Sequence, residues 1–228
     1  MEGIKKEYHL LPGSTKITVL GSAVLAFAGI PEVTTIVITV PAFEGNAETA
    51  KAKAALPPEL LASARPEIHF VPGGKNRRAS VSNALAFLAE ENLPPSLVLI
   101  HDGARPWVSP ALIRRIIDET KKHHAAIPLV PLAETPKETE SPLANLHDNE
   151  TAIIRQHLRR ANVGAAQTPQ GFVFPAIYEA HKQAALKEAT DGVEFTDDAE
   201  IWAAFCGSVA AICGEKENRK ITFPEDLA

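Results

Sequence analysis

An acid and a guanidinium stand three positions apart in Asp102-Gly103-Ala104-Arg105, straight after the apolar run Leu97 to Ile100. At the exit of a buried strand, such a pair can serve either of two ends. Asp102 can face a cation or hydroxyls and Arg105 an anion, with Gly103 and Ala104 leaving room for a ligand to approach the backbone. Alternatively the two pair with each other and tie loop to helix, and both readings stand on these residues alone. A second exit has a related make-up. In FVPGGKNRRASV, Gly73 and Gly74 follow a strand, then come Lys75, Arg77 and Arg78, and Ser80 is placed to open a helix. Small residues, cations and a helix N-terminus suit a phosphate-rich or heteroaromatic ligand. Three more stretches carry polar groups in apolar settings. ENRKITFPEDLA holds Lys220 in a strand-like segment, where a lysine ordinarily faces solvent. AAQTPQGF places Thr168 and Pro169 in a turn, and FTDDAE makes an acidic helix start.

The elements that would position these groups alternate. Thr34 to Val40, Ile68 to Val71, Leu97 to Ile100 and Ala126 to Leu132 are apolar and rich in β-branched residues, as strands covered on both faces should be. Between them, Val81, Ala84, Leu85 and Leu88 fall at helical spacing after a cap expected at Ser80. Ser109 followed by Pro110 is a cap with proline at the first helical position, leading into Leu112, Ile113, Ile116 and Ile117. This alternation predicts an α/β fold with a mostly parallel sheet and right-handed crossovers. Ligands then bind beyond the carboxyl ends of the strands, where Asp102 to Arg105 and Gly73 to Ser80 both fall. One stretch breaks the pattern. From about Glu134 to Asn162 the chain is polar, with a candidate edge strand in Thr151 to Ile154. It reads as an arm reaching a neighbour, or as a plain surface excursion.

Composition bounds the classes. At 228 residues, a single α/β domain is the economical reading. Hydrophobic residues at 45% and charged residues at 22% are ordinary for a soluble protein. A net charge of −5 argues against broad nucleic-acid binding. Cys206 and Cys213, without CxxC spacing, fit a reduced cytoplasmic setting. There is no leader-like apolar region and no 18-residue apolar run, so no membrane partner is expected.

Taken together, KKEYHLLPG, TVLGSAVLAF, VPGGKNRRASV, VLIHDGARPWV, ETPK, AAQTPQGF, FTDDAE and NRKITFPEDL resemble the 2-C-methyl-D-erythritol 4-phosphate cytidylyltransferases of non-mevalonate isoprenoid synthesis, in that family's order and at about its spacings. The resemblance covers essentially the whole chain. It implies a Rossmann-like nucleotidyltransferase fold with helices on both faces of the sheet and a protruding β-arm. It also implies one domain over 1–228 whose arm, at about 134–162, makes a homodimer. CTP would lie along the carboxyl edge of the sheet with Mg2+ on its phosphates, close to Asp102 but held by no protein cage. The oxygen of methylerythritol phosphate would attack the α-phosphorus in line and pyrophosphate would leave, a reaction of positioning and charge stabilisation.

Carried over position by position, Lys6 and Lys220 match the catalytic lysines. Gly73, Gly74, Ser80 and Asp102 match nucleotide-binding positions. Asp102, Arg105, Thr135, Arg160 and Thr168 match acceptor-binding positions, some of them supplied across the dimer interface. The family also opens with a strand and a glycine-rich AAGxGxR loop, whereas Met1-Glu2-Gly3 corresponds to the segment just after that loop, and Asp226-Leu227-Ala228 stops before the family's last helix. The expectation is a clipped chain, or a homologue that no longer turns over, weak or inactive as it stands. Ribitol-5-phosphate cytidylyltransferases share the fold and most motifs and are the alternative enzyme. A catalytically dead nucleotide-binding dimer is the alternative of another class.

Overall fold

Four short runs of β-branched and aliphatic residues form the strands that carry the site, and each ends where glycine, proline or charge interrupts it. The computed structural model describes residues 5–42, 46–90, 94–143, 146–147 and 150–227. Its elements are α1 (Val19–Ala28), β1 (Thr35–Val40), α2 (Asn46–Ala54), α3 (Pro58–Ala62), β2 (Glu67–Pro72), α4 (Arg77–Ala89), β3 (Leu97–Ile100), α5 (Pro110–His123) and β4 (Ala125–Pro131). They continue with β5 (Lys137–Thr139), β6 (Ile154–His157), β7 (Gly164–Ala166), β8 (Gln170–Val173), α6 (Phe174–Asp191), α7 (Asp198–Phe205) and β9 (Ala210–Cys213). The four positions before Lys5, and Ala228 at the other end, lie outside the described residues, as do 144, 145, 148 and 149 of the expected arm.

β1 and β2 pair in parallel. A second sheet runs β3, β8, β4, with β9 parallel on the far edge of β4 and β7 continuing along the edge that β8 leaves. β3, β4 and β9 therefore share a direction, and β7–β8 is the one reversed line among them. The same direction extends to β1 and β2, because Arg77, just past β2, reaches Asp102, just past β3. The mostly parallel α/β expectation holds, with a reversed central strand that strand-by-strand reading did not disclose.

Side chains alternate across the sheet and fill two layers. Ile100, Ala125 and Phe172 pack with Leu85, Leu88, Ile177, Ala180 and Trp202 on one face, under α4, α6 and α7. Leu97 and Leu99 pack on the other face against Phe27, Leu112, Ile113 and Ile116 of α1 and α5. A third cluster joins α1, α2 and α3 to β1 and β2 through Leu20, Val24, Val40, Ala52 and Leu60. Gly171 is dictated by this packing, since a Cβ there would collide with Thr120 and Ile116 of α5.

Three local expectations need correction. α4 is capped by Asn76, whose Oδ1 accepts from Ala79 N–H at 2.8 Å, and not by Ser80, which is inside the helix. The candidate strand at Thr151 to Ile154 falls later, at Ile154–His157, where mostly polar residues do the pairing: Ile154, Gln156 and His157 lie opposite Thr139, Glu138 and Lys137. Lys220 is in no strand, since only one backbone bond, Ile221 N–H to Ala104 C=O at 2.9 Å, ties its segment to the loop after β3. By contrast Ser109 caps α5 as expected, accepting from Leu112 N–H at 3.0 Å, with Pro110 first in the helix. Within the polar stretch, β5 and β6 pair as an antiparallel ribbon whose second strand is exposed throughout.

Candidate active site

The carboxylate of Asp102 is the centre of the site. Its Oδ2 receives Lys220 Nζ at 2.9 Å and stands 3.8 Å from Arg105 Nε, while Oδ1 stands 3.5 Å from Arg77 Nε. Burial works to raise its pKa, but the Lys220 hydrogen bond and the charges of Lys220, Arg77 and Arg105 outweigh it and hold the carboxyl below the usual carboxylate range. The two readings of Asp102 and Arg105 are thus partly reconciled. They do approach each other, but too loosely for a hydrogen bond, and Arg105 Nε is left without a hydrogen-bond partner. Arg105 spends one donor on Asn218 C=O at 2.8 Å. A cluster of three cations around one acid carries a net positive charge and faces outward through Lys220, whose side chain is 40% exposed.

The backbone under Asp102 is set by a proton chain that the geometry fixes. His101 Nε2 lies 3.1 Å from Arg105 C=O, which can only accept, so Nε2 carries the hydrogen. Burial pushes this imidazole down to about 4, so the ring is neutral and Nδ1 is an acceptor. Thr168 Oγ1, 3.0 Å from Nδ1, therefore donates to it, and the same oxygen accepts Asp102 N–H at 3.0 Å. Thr168 keeps one free lone pair. It can accept a hydrogen bond from a ligand hydroxyl, but it has no proton left to give.

Lys220 reaches Asp102 because the turn between β7 and β8 grips its segment. Gln167 Nε2 donates to Glu215 C=O at 2.7 Å and to Asn218 C=O at 3.1 Å, while its Oε1 accepts Glu215 N–H at 3.1 Å. Asn218, fully buried, returns a bond from Nδ2 to Thr168 C=O at 2.8 Å. Arg77 is tethered from the core. Its Nη2 lies 2.7 Å from Oδ2 of the fully buried Asp198, whose other oxygen stands 3.2 Å from His181 Nε2, equally buried. The charge and hydrogen bond of Asp198 more than offset the burial of Arg77 and raise its pKa. Gln170 fixes the start of α7 by donating to Asp197 Oδ2 at 2.9 Å and accepting Ala199 N–H at 3.1 Å.

Beside this cluster, the carboxyl ends of β1 and β2 open a cavity of about 580 Å³ lined by Lys5, Thr39, Pro41, Gly73, Gly74, Lys75 and Ser80. Gly74 N–H donates to Ser80 Oγ at 3.0 Å, and a Cβ on Gly74 would collide with Ala79, so only glycine lets the loop fold back onto α4. The three residues named for nucleotide binding here are therefore together, one loop from Asp102.

The remaining candidates are placed differently. Lys6 is half-buried in a 3-10 turn at Lys6–Tyr8, where its C=O accepts His9 N–H at 3.3 Å; its side chain makes no hydrogen bond or ion pair among the described residues, and its charge acts on Asp226. The turn leans on the loop after β3, where Glu7 Cγ is 3.9 Å from the place a Cβ on Gly103 would take. Thr135 and Arg160 form a separate group at the base of the ribbon. Thr135 is exposed and Arg160 Nη1 donates to Ala133 C=O at 2.7 Å; neither bonds to the Asp102 cluster. Among the described residues no three His, Cys, Asp or Glu side chains converge as a metal cage. Asp102 is the one acid at the centre, so a divalent ion there would take most of its ligands from a bound nucleotide.

Asp198, His101, Gln167 and Asn218 were not among the candidates, although each lies in one of the stretches singled out above, and Arg77 stood there only as one of three cations. The signal that could have found them is polarity inside segments otherwise bound for the core.

The sequence matches the family model described as IspD, 2-C-methyl-D-erythritol 4-phosphate cytidylyltransferase, over residues 1–228. Among curated proteins, a bifunctional enzyme IspD/IspF of Bradyrhizobium sp. is 39% identical over 99% of this chain and 50% of its own length. The corresponding protein of Bradyrhizobium diazoefficiens is 44% identical over 68% of this chain and 35% of its own. The chain thus spans half or less of the curated relatives it matches. Among solved structures, the 2-C-methyl-D-erythritol 4-phosphate cytidylyltransferase of Thermus thermophilus is 29% identical with a TM-score of 0.67, covering 97% of this chain and 90% of its own. That of Francisella tularensis is 27% identical with a TM-score of 0.73, covering 98% and 90%.

Proposed function

Because the chain belongs to the 2-C-methyl-D-erythritol 4-phosphate cytidylyltransferase family, matched over its whole length, we propose that it joins CTP to 2-C-methyl-D-erythritol 4-phosphate, releasing pyrophosphate and forming 4-diphosphocytidyl-2-C-methyl-D-erythritol. The observation that carries the reading is the cluster of Lys220, Arg77 and Arg105 around Asp102, beside the glycine-lined cavity at Gly73 and Gly74. In-line displacement at phosphorus needs fixed positive charge more than it needs a covalent nucleophile.

Each residue then has a task. Gly73, Gly74 and Ser80 hold the cytosine in the cavity that selects CTP. Lys220 and Lys6 stabilise negative charge at the α-phosphorus. Asp102 fixes Lys220 by the 2.9 Å bond and takes the sugar hydroxyls, while Arg105 offers its unspent Nε to the acceptor. Thr168 accepts one acceptor hydroxyl through its remaining lone pair. Mg2+ bound with CTP would neutralise charge on its phosphates, and Asp102 would be the protein carboxylate placed to help hold it.

Thr135 and Arg160 flank the ribbon and make no bond to the Asp102 cluster of their own chain, which supports a homodimer in which the 134–162 arm carries them to the partner's site. The unit is a single domain, and cytoplasmic. No helix among the described residues is long and apolar enough to cross a membrane. The test is direct. The chain with the family's strand and glycine-rich AAGxGxR loop restored ahead of Met1 is incubated with CTP, Mg2+ and either methylerythritol phosphate or ribitol 5-phosphate, and pyrophosphate and the CDP-polyol are followed by phosphorus NMR. Faster turnover of methylerythritol phosphate supports the proposal. A preference for ribitol phosphate, or CTP binding with no product from either acceptor, overturns it.

A further inference from the structure

Lys220 and Asp102 belong to two irregular segments, and the 2.9 Å bond between them is only as well placed as those segments are relative to each other. Neither 101–107 nor 218–223 lies in a helix or strand, so no ladder fixes their spacing. Three further ties do. Ile221 N–H donates to Ala104 C=O at 2.9 Å, and Arg105 Nη1 donates to Asn218 C=O at 2.8 Å. The guanidinium of Arg219 lies over the ring of Trp107, 4.6 Å from its centroid.

The third tie differs in kind from the others. Arg219 is exposed, and among the described residues its side chain makes no hydrogen bond or ion pair; Asp226 feels its charge without pairing with it. The indole N–H of the half-buried Trp107 has no hydrogen-bond partner among the described residues either. A guanidinium carries five donors and ordinarily settles on a carboxylate. Here it rests on a ring, where the attraction comes from the negative face of the π-system.

Position gives this stack its consequence. Trp107 follows Arg105 by two residues, and Arg219 precedes Lys220 by one. The two backbone ties grip the C=O of Asn218 and the N–H of Ile221, on either side of Lys220. Between those grips the chain carries two side chains, those of Arg219 and Lys220. Anchoring the first therefore fixes the stretch of backbone from which the second starts. Lys220 needs this help, because its side chain is 40% exposed and its ammonium rides on a flexible four-carbon stem.

We propose that Trp107 and Arg219 are a positioning pair, whose stack clamps 218–221 to the loop after β3 and so keeps the Lys220 ammonium on Asp102. Neither residue bonds to Asp102, so each acts through Lys220. What that ammonium does for turnover rests on the proposed cytidylyl transfer. The clamp is measured without nucleotide, so the two can fail separately.

The test is competitive acetylation of the folded chain by acetic anhydride at pH 8, with Lys220 compared to Lys182 by mass spectrometry. Lys182, on α6, is the internal reference because it too meets a carboxylate, Glu179 at 3.1 Å, and a ring, Tyr178 at 4.3 Å. Trp107→Leu and Arg219→Gln should each raise the Lys220-to-Lys182 ratio by roughly two- to fivefold, the size of effect expected of a partly exposed stack. The double variant should rise no further than the higher of the two, since either change alone opens the clamp. Trp107→Phe keeps a ring face and should give a smaller rise than Trp107→Leu. The proposal is overturned if the ratio is unchanged in either single variant, or if the two effects multiply in the double. It is equally overturned if Trp107→Phe releases Lys220 as fully as Trp107→Leu.

Discussion

Replacing Thr168 by Val tests the proton chain beneath the site, because valine keeps the shape of threonine and removes only its hydroxyl. Thr168 is 5% exposed, so the hydroxyl has no water to stand in for it. Its loss strands two groups at once: Asp102 N–H and His101 Nδ1, each 3.0 Å from the missing oxygen. A buried polar group left unpaired costs about 1–3 kcal/mol. Asp102 retains some access to solvent, its side chain being 17% exposed, which pulls the sum toward the lower end, about 2–4 kcal/mol. In a protein of 228 residues this is a fall in Tm of roughly 4–16 °C. Thermal unfolding at pH 7.5, followed by circular dichroism, measures it well away from the histidine's own titration. Thr168→Ser is the companion: it restores the hydroxyl and gives up one methyl, so it should recover at least half of the loss. A Val variant melting within 2 °C of the parent, or a Ser variant no more stable than Val, would refute the assignment of donors and acceptors around His101.

Four further outcomes follow from the same geometry. His101 is held neutral to about pH 4 by burial, against an ordinary value near 6.5; between those limits the unfolded chain binds the extra proton. Stability should therefore fall by up to about 3 kcal/mol as pH drops from 6.5 to 4, and urea titrations should show a shallower decline in His101→Gln. Lys220→Ala should lower kcat by roughly 10²–10³ with a much smaller change in KM for CTP, measured in a chain length that turns over; a kcat within threefold would leave Lys220 an ordinary surface lysine. Asp198→Asn removes the buried partner of Arg77, but Arg77 is 37% exposed and can rehydrate. The expected loss is therefore about 1–2 kcal/mol, below the range for a fully buried pair, read from the urea midpoint at constant m. Sedimentation at micromolar concentration should show a dimer, and a monomer in Glu138→Lys/Arg155→Glu would leave the ribbon as the contact, whereas a compact monomer of the parent chain refutes the arm.

Local physics was legible where the cause is local. Ser109-Pro110 announced α5, and the apolar runs announced β1 to β4 to within a residue or two, because strand and cap formation depend on a few consecutive side chains. The strand exits were legible too: glycines followed by cations after β2, and Asp102 and Arg105 after β3, mark positions where a buried element meets solvent. Two things were decided only in three dimensions. One is pairing. β8 is not legible as a strand, its first three residues falling with the turn at Thr168 and Pro169, and nothing in Gln170 to Val173 says that the segment will run backwards between β3 and β4, since strand direction is set by which edges are free when the layers pack. The other is charge. Asp198, 121 residues from Arg77, and Asn218, 50 from Thr168, appear as ordinary polar residues in sequence. They become anchors of the site because folding removes them from water and brings them the partners that can satisfy them, Arg77 and His181 around Asp198 and Thr168, Gln167 and Arg105 around Asn218. The sequence determined which residues could do chemistry at the carboxyl edge. The tertiary structure decided that Lys220, Arg77 and Arg105 share a single carboxylate, because only burial makes that arrangement worth more than four separate hydrated charges.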